Sequence, residues 1–552
     1  MTAEGFDFLF TRWPVISKWQ VLWACMAGYT WYCTALTQGG SVILQQTPKH
    51  RCKTALDDTI EGFSFEDGLE FSPSSCEKYP DSWTAQCLHG ENLSACFNRQ
   101  SANLTTVECD SGFIYDDELF ESTFVTEFDL VCERSYVNTV STSIFMSGLF
   151  VSVSIFGPIM DRFGRRKGML FGLIGLMIAN VIISISNSVA MFTLGRFLAG
   201  AFAMGAATCC FVYAVELPGA RWRTWFGQAV NNCCSLGFLT LSFIGYFFKD
   251  WQSQSLAIAV FPLPFVLFFF WVLPVSSPWL FSTGNYEKAS ENILEIGVKY
   301  FPDRQIDYEF TEKLTAQIKL KQSDEKSAQV RTQLDILRPP GMRKITMIEL
   351  YQWFATTLVF YGLAFGAGNL SGSLLQNNAY NALVEILAQT VTPFLVDRKI
   401  IGRRYGTIIT MSIGFLACFG AAACDVLEME NAKRVLAIIG KFGVTGTFAC
   451  IYIHTSELFP TEVRGIGVGF ASAGGRIGGI FAPLVLQFGN KLSWLPFFIF
   501  GCFGLVQVIT CFLLPETLGQ EMLGSIEEAE EFYRNPKMHG KRNYSLAKLQ
   551  DE

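Results

Sequence analysis

The chain has 552 residues, half of them hydrophobic and only 16% charged, with a mean hydropathy of +0.30. That composition places it in a bilayer and excludes an ordinary soluble domain. The net charge of −7 is unevenly spread: residues 45–138 hold 6 Lys/Arg against 18 Asp/Glu, which leaves the remainder basic and gives nucleic-acid binding no support.

Residues 1–18 read as a cytoplasmic N-terminus, acidic and aromatic, ahead of the first long apolar run. That run, 19–44, is longer than a signal-peptide core and has no small-residue cleavage site, so it is predicted to be a retained first span. The acidic segment that follows, 45–137, is predicted to be a large extracellular loop. It holds six of the 17 cysteines: Cys52, Cys76, Cys87, Cys96, Cys109 and Cys132. An even set in an oxidising compartment predicts up to three disulfides, with 15 pairings open. The same loop carries two glycosylation sequons, at Asn92 and Asn103.

Further spans are predicted at 138–160, 168–187, 190–215, 226–247 and 254–273, closing a six-helix bundle at residue 275. Between the second and third spans lies Gly157–Lys167, a turn holding Arg162, Arg165, Arg166 and Lys167. Cations accumulate in cytoplasmic loops, so this turn sets the orientation. Residues 276–344, near charge balance, read as a cytoplasmic linker with short surface helices. Six more spans fit at 345–366, 374–396, 405–424, 434–456, 466–488 and 494–514, a second bundle ending at residue 515, and 516–552 is a cytoplasmic tail. The expected fold class is an all-α membrane protein with 12 transmembrane helices in two six-helix bundles and both termini inside.

The halves repeat. Asp161-Arg162-Phe163-Gly164-Arg165-Arg166 returns as Asp397 to Arg404, two residues longer. Glu216-Leu217 returns as Glu457-Leu458 and Leu273-Pro274 as Leu514-Pro515, both at an offset of 241 residues. Parallel halves of this kind point to the major facilitator architecture, with a site between them near the midplane.

Thr47-Pro48-Lys49-His50-Arg51-Cys52 and Val125-Thr126-Glu127-Phe128-Asp129-Leu130-Val131-Cys132 bracket the loop. Tyr452-Ile453-His454-Thr455-Ser456-Glu457-Leu458-Phe459-Pro460-Thr461 ends the tenth span. On these segments the chain resembles the organic cation, anion and zwitterion transporters (solute carrier family 22) of the major facilitator superfamily. The resemblance implies a plasma-membrane carrier of small organic ions working by alternating access. One segment departs: Pro274-Val275-Ser276-Ser277-Pro278-Trp279-Leu280 stands where the family has Pro-Glu-Ser-Pro-Arg-Trp-Leu, so an acid and a base are missing. Leu514-Pro515-Glu516-Thr517 in the second half keeps the acid.

Charges inside spans mark a site, because each costs about 2.5–3.5 kcal/mol on insertion scales. Glu385 in span eight and Arg476 in span eleven stand out; an interhelical ion pair is the plainer reading of both. Glycines on either side of Arg476 allow close approach of a neighbouring backbone. The resemblance implies that Arg476 replaces the Asp of cation-preferring members and matches the Arg of anion and carnitine-type members. Glu385 matches an acid common in cation carriers, and Gln389 stands where anion-type members have Lys. One acid and one base suit a zwitterion of carnitine or betaine type, with an organic anion second and a cation third. Phe360 and Tyr361 offer ring faces to an ammonium group. Arg196 and Lys441 read as cations engaged in helix packing.

At the cytoplasmic ends Asp161, Arg162, Arg165, Arg166 and Glu216, with Asp397, Arg403, Arg404 and Glu457, are predicted to form an inner gate. Arg162, Arg165 and Arg166 are expected to meet Glu216, and Arg403 and Arg404 to meet Glu457, in pairs that separate as the halves rock. Enzyme chemistry has no footing: there are four His and no HExxH, CxxC or GxSxG pattern, so neither metal nor cofactor is expected. Coupling to Na⁺, to H⁺ or to nothing stays open. The expected partners are a small organic ion and the bilayer, with contact between copies through the extracellular loop left open. A sugar-type facilitator and a transport-inactive receptor on the same fold are the competing functions.

Overall fold

The computed structural model describes residues 17–54, 57, 65–66, 74–80, 106–218, 222–301, 306–326, 333–396, 401–460, 462–519 and 523–534. Among them the long helices follow in two sets. The first is α1 (Lys18–Leu44), α2 (Ser135–Phe163), α3 (Arg165–Ser184), α4 (Val189–Glu216), α5 (Arg223–Phe247) and α6 (Trp251–Val272). The second is α7 (Pro340–Phe365), α8 (Leu374–Val396), α9 (Gly402–Val426), α10 (Glu430–Leu458), α11 (Arg464–Gln487) and α12 (Leu495–Cys511). Nine of the described helices are long and apolar enough to cross a membrane on composition alone. The other three differ for visible reasons. Buried polar side chains such as Gln20, Thr34 and Gln38 dilute α1, Glu349 and Gln352 dilute α7, and α12 has 17 residues.

Helix ends follow local chemistry. Ser17 caps α1 and Ser188 caps α4, each accepting a hydrogen bond from the backbone N–H three residues on. α7 opens at Pro340 rather than at 345, since proline suits a first turn where no N–H is needed. The sixth span is interrupted: past Val260, around Pro262 and Pro264, the chain continues as a π-helical turn, Phe265–Phe269. The linker holds helices Ser277–Ser282, Tyr286–Tyr300, Tyr308–Lys326 and Gln333–Leu337. It is not loose on the surface. Tyr286–Tyr300 buries Ala289, Ile293 and Ile296, and Tyr300 stacks edge-on against Trp23 of α1 at 5.0 Å. A further helix, Ile526–Arg534, lies in the charged tail.

The loop between α1 and α2 adds strands that the all-α expectation omits. β1 (His50–Cys52) pairs antiparallel with β4 (Phe113–Tyr115), and β2 (Glu77–Lys78) with β3 (Val107–Glu108). Disulfides Cys52–Cys109 and Cys76–Cys132 tie these ribbons together. Such short strands lack the period-2 pattern that would announce them in sequence. Cys87, Cys96, Asn92, Asn103 and Asp397 lie outside the described residues.

The two bundles meet along three seams, best seen at the end carrying the loop between α1 and α2. On the first, Tyr361 of α7 donates to Gln38 of α1 at 3.4 Å. On the second, Ser143 of α2 donates to the Ile480 carbonyl of α11 at 3.1 Å. On the third, Asn378 of α8 donates to the Phe238 carbonyl of α5 at 2.7 Å and to Ser242 at 3.0 Å. The α5–α8 seam stays closed to the linker end, where Trp225 meets Phe394 at 4.7 Å. In the linker-end halves of α2 and α11, a Cβ built on Gly157, Gly465 or Gly469 would meet no other atom within 4 Å.

Candidate functional site

A buried polar cluster draws on both bundles. Glu385 of α8, 3% exposed, pairs with Lys441 of α10 at 2.8 Å, and Lys441 is fully buried. The Lys441 ammonium also donates to the Phe360 carbonyl at 3.1 Å and lies 3.3 Å from the centre of the Phe360 ring. The second carboxylate oxygen of Glu385 accepts from Ser235 of α5 at 3.1 Å, so the pair reaches across the bundle interface. Burying a carboxylate and an ammonium in a span is tolerable only with this degree of mutual satisfaction.

Arg476 is the contrast. Its Nε is buried without a hydrogen-bond partner, and no ion pair holds it among the described residues. Its guanidinium lies beside the hydroxyls of Tyr361 and Tyr452. The glycines around it do what close packing requires: a Cβ on Gly474 or Gly478 would stand 2.3 Å from the α7 carbonyl of Leu350 or Phe354. A narrow recess lined by Val42, Phe238, Tyr361, Phe365, Asn378 and Glu385 separates the bundles beside this cluster. The structure therefore gathers Glu385, Phe360, Tyr361 and Arg476 at one level. One face of the Phe360 ring is taken by Lys441, and Glu385 is already compensated.

The sequence alone assigns Lys441 to helix packing and does not reveal it as the partner of Glu385. Nothing in the spacing of two residues on different helices signals such a pair. Glu349 in α7, also fully buried, is a second such residue. The rule that singled out Glu385, an acid inside an apolar span, applies equally to Glu349. Arg196, by contrast, packs as expected. It donates to the Thr37 carbonyl at 3.1 Å and to Ser41, and lies over the Phe145 ring at 4.1 Å.

At the linker end two matched networks appear. Arg165 pairs with Glu216 at 3.1 Å and with Asp161 at 3.2 Å, and Ser276 donates to Glu216. Arg166 donates to the Leu273 carbonyl at 2.7 Å, and Tyr213 to the Pro274 carbonyl at 2.9 Å. In the second half Arg403 pairs with Glu457 at 3.3 Å, and Thr517 donates to Glu457 at 2.6 Å. Arg404 donates to the Leu514 carbonyl at 3.2 Å, and His454 meets the Pro515 carbonyl at 3.1 Å.

These networks differ from the sequence expectation in two respects. Arg162 lies over the Phe163 ring at 5.5 Å, and neither Arg166 nor Arg404 forms an ion pair with the expected glutamate among the described residues. Their guanidinium groups take helix-end carbonyls instead. Both partners of each pair also sit on one bundle, so neither pair bridges the two halves.

Glu516 adds a contact absent from the first half. Its carboxylate accepts the backbone N–H groups of Arg403 and Arg404 at 2.8 and 3.0 Å, capping α9. The residue 241 positions earlier is Val275, which cannot accept them, and no side chain caps α3. Trp279 fills that corner. Its indole donates to the Asp161 carbonyl at 2.8 Å and its ring covers Gly164, whose φ of +90° favours glycine.

Comparison with known proteins agrees with this architecture. Residues 92–529 match the family model described as sugar (and other) transporter. An organic cation transporter protein of Drosophila melanogaster is 32% identical over 476 residues, covering 84% of this chain and 82% of that one. Solute carrier family 22 member 6-B of Xenopus laevis is 30% identical, covering 88% of this chain and 87% of its own. The chain belongs to solute carrier family 22 of the major facilitator superfamily. Solute carrier family 22 member 2 of Rattus norvegicus is 28% identical over 95% of this chain and 96% of its own. Among solved structures, the inward-open xylose transporter XylE from E. coli has a TM-score of 0.61 at 15% identity, covering 92% of this chain and 98% of that one. That likeness shows the fold. The family 22 chain is thus a multi-pass membrane transporter, not an enzyme, and the family as a whole transports organic ions.

Proposed function

We propose that this protein is a plasma-membrane carrier of small organic ions bearing a carboxylate, either carnitine- or betaine-type zwitterions or organic anions. The observation that carries the reading is Arg476, a guanidinium beside Tyr361 and Tyr452 with no ion pair among the described residues, next to an acid already neutralised by Lys441. The cluster of Glu385, Lys441 and Arg476 has one positive charge in excess. A guanidinium binds a carboxylate through two parallel hydrogen bonds. A substrate ammonium would find Tyr361 and the rim of the pair, so a zwitterion fits and a simple cation fits less well.

On this reading the loop end is extracellular and both termini are cytoplasmic. The structure then corresponds to a state sealed outside, with open space beside Gly157, Gly465 and Gly469 inside. The bundle-internal ion pairs keep each half rigid while the two rock, and the gate lies in the seams. Ser276 in place of a missing ionic contact argues against an inactive receptor, since Glu216 keeps both its arginine and a hydroxyl donor. The organic cation transporters among the relatives make a plain cation the second reading. Uptake of labelled carnitine, betaine, an aromatic carboxylate and tetraethylammonium by expressing cells decides between them. Arg476→Asp should abolish carboxylate uptake and raise cation uptake; unchanged selectivity at normal surface expression would refute the role of Arg476.

A further inference from the structure

We infer that Glu349 is a proton-binding carboxyl whose occupancy is linked to the linker-end network of the second bundle. The inference rests on the transport reading above and adds a coupling ion to it. Glu349 lies on α7, fully buried, and its Oε1 has no hydrogen-bond partner. An unpaired carboxylate inside a span is strongly disfavoured, yet no cation faces this one among the described residues. Among the described residues, Cys511 of α12 and Tyr533 of the tail helix lie within its electrostatic reach, both neutral in their ordinary state. On α11, Arg464 turns to the Phe459 carbonyl, and Arg476 lies beside Tyr361 and Tyr452. On α10, His454 is held by the Pro515 carbonyl, and Glu457 by Arg403 and Thr517.

The hydrogen count around Thr455 points the same way. Its Oγ1 receives the indole N–H of Trp353 at 2.9 Å. It lies 2.7 Å from the Ile451 carbonyl and 2.6 Å from Glu349 Oε2. A hydroxyl has one hydrogen and cannot donate to both oxygens. A proton on Glu349 Oε2 resolves the conflict. The carboxyl donates to Thr455, Thr455 donates to Ile451, and Trp353 donates to Thr455, so every hydrogen has one acceptor.

When that proton leaves to water at the linker side, the carboxylate claims the Thr455 hydrogen, and the Ile451 carbonyl keeps its helical N–H donor but loses the hydroxyl. Thr455 stands one residue from His454 and two from Glu457, so the change is delivered to the segment that bonds Pro515, Arg403 and Thr517.

Infrared difference spectra of the purified full chain, recorded across a pH titration, test the site without any substrate. A protonated-carboxyl band should be present near neutral pH, disappear as the pH rises, be missing from Glu349→Gln and shift in Thr455→Val. In vesicles, wild-type uptake should rise by up to about tenfold per pH unit of acidification when proton binding limits it, while Glu349→Gln should be flat. A band in Glu349→Gln equal to wild type, a band that never titrates, or unchanged pH dependence in Glu349→Gln would overturn the inference. Absence of uptake by wild type at every pH would refute the transport reading instead, and the spectra would still decide Glu349.

Discussion

Glu385 and Lys441 are the most demanding residues in the structure. Both are buried, and each satisfies the other within a span. Removing one partner leaves the other charge unpaired, which in buried pairs costs about 3–5 kcal/mol. Lys441→Met should therefore lower the detergent melting temperature sharply, and adding Glu385→Gln should recover most of the loss. Equal melting of Lys441→Met and wild type would mean that the pair does not hold α8 to α10. At this scale sequence reading went part of the way. An ionised group in an apolar run is visible in one dimension, which is how Glu385 and Arg476 were found. Which cation meets which acid is a property of helix rotation and packing. The offset that relates Glu216 to Glu457 says nothing about Lys441, which has no equivalent partner in the first half.

Among elements, the repeat is the most informative feature, because it compares one chain with itself. Glu516 caps α9 through two backbone N–H groups, and Val275 leaves α3 without that cap. An anionic cap at a helix start contributes about 0.5–2 kcal/mol. Val275→Glu should raise the melting temperature, and Glu516→Gln should lower it; no change in either would show that the cap is energetically idle. The tail helix is held by the same chemistry. Glu530 accepts the N–H groups of Gly341 and Met342, both at 3.0 Å, at the start of α7. Partial burial raises the pKa of this carboxyl. Those two N–H groups and Arg534 more than offset the rise and hold it below the ordinary carboxylate range. A depressed carboxylate pKa adds stability above its unfolded value, lost as pH falls through the folded one. Amide exchange in 526–534 should accordingly be slow at neutral pH and accelerate once acidification protonates Glu530. Exchange that is independent of pH, after correction for intrinsic rates, would rule out this docking. None of it was legible beforehand, since the tail reads only as a charged segment.

At the scale of the whole molecule, the 12 helical segments and their order were readable because hydropathy repeats at the length of a bilayer. The loop strands and the docking of Tyr286–Tyr300 on α1 were not, because they depend on contacts between distant residues. The state of the molecule is likewise a packing property. Three seams close the loop end, while glycines 157, 465 and 469 face open space toward the linker. Gly245 of α5 is central to the closed end. A Cβ there would stand 2.7 Å from Leu375 of α8. A large side chain at that position should prevent the loop end from closing. The measurement that tests the central claim, rocking of two bundles about a shared site, is uptake of a labelled carboxylate-bearing solute into vesicles by wild type and Gly245→Trp. Wild type should accumulate the solute, and Gly245→Trp, folded and inserted to the same level, should bind it without accumulating it. No accumulation of any tested organic ion by wild type, or full transport by Gly245→Trp, would contradict the account.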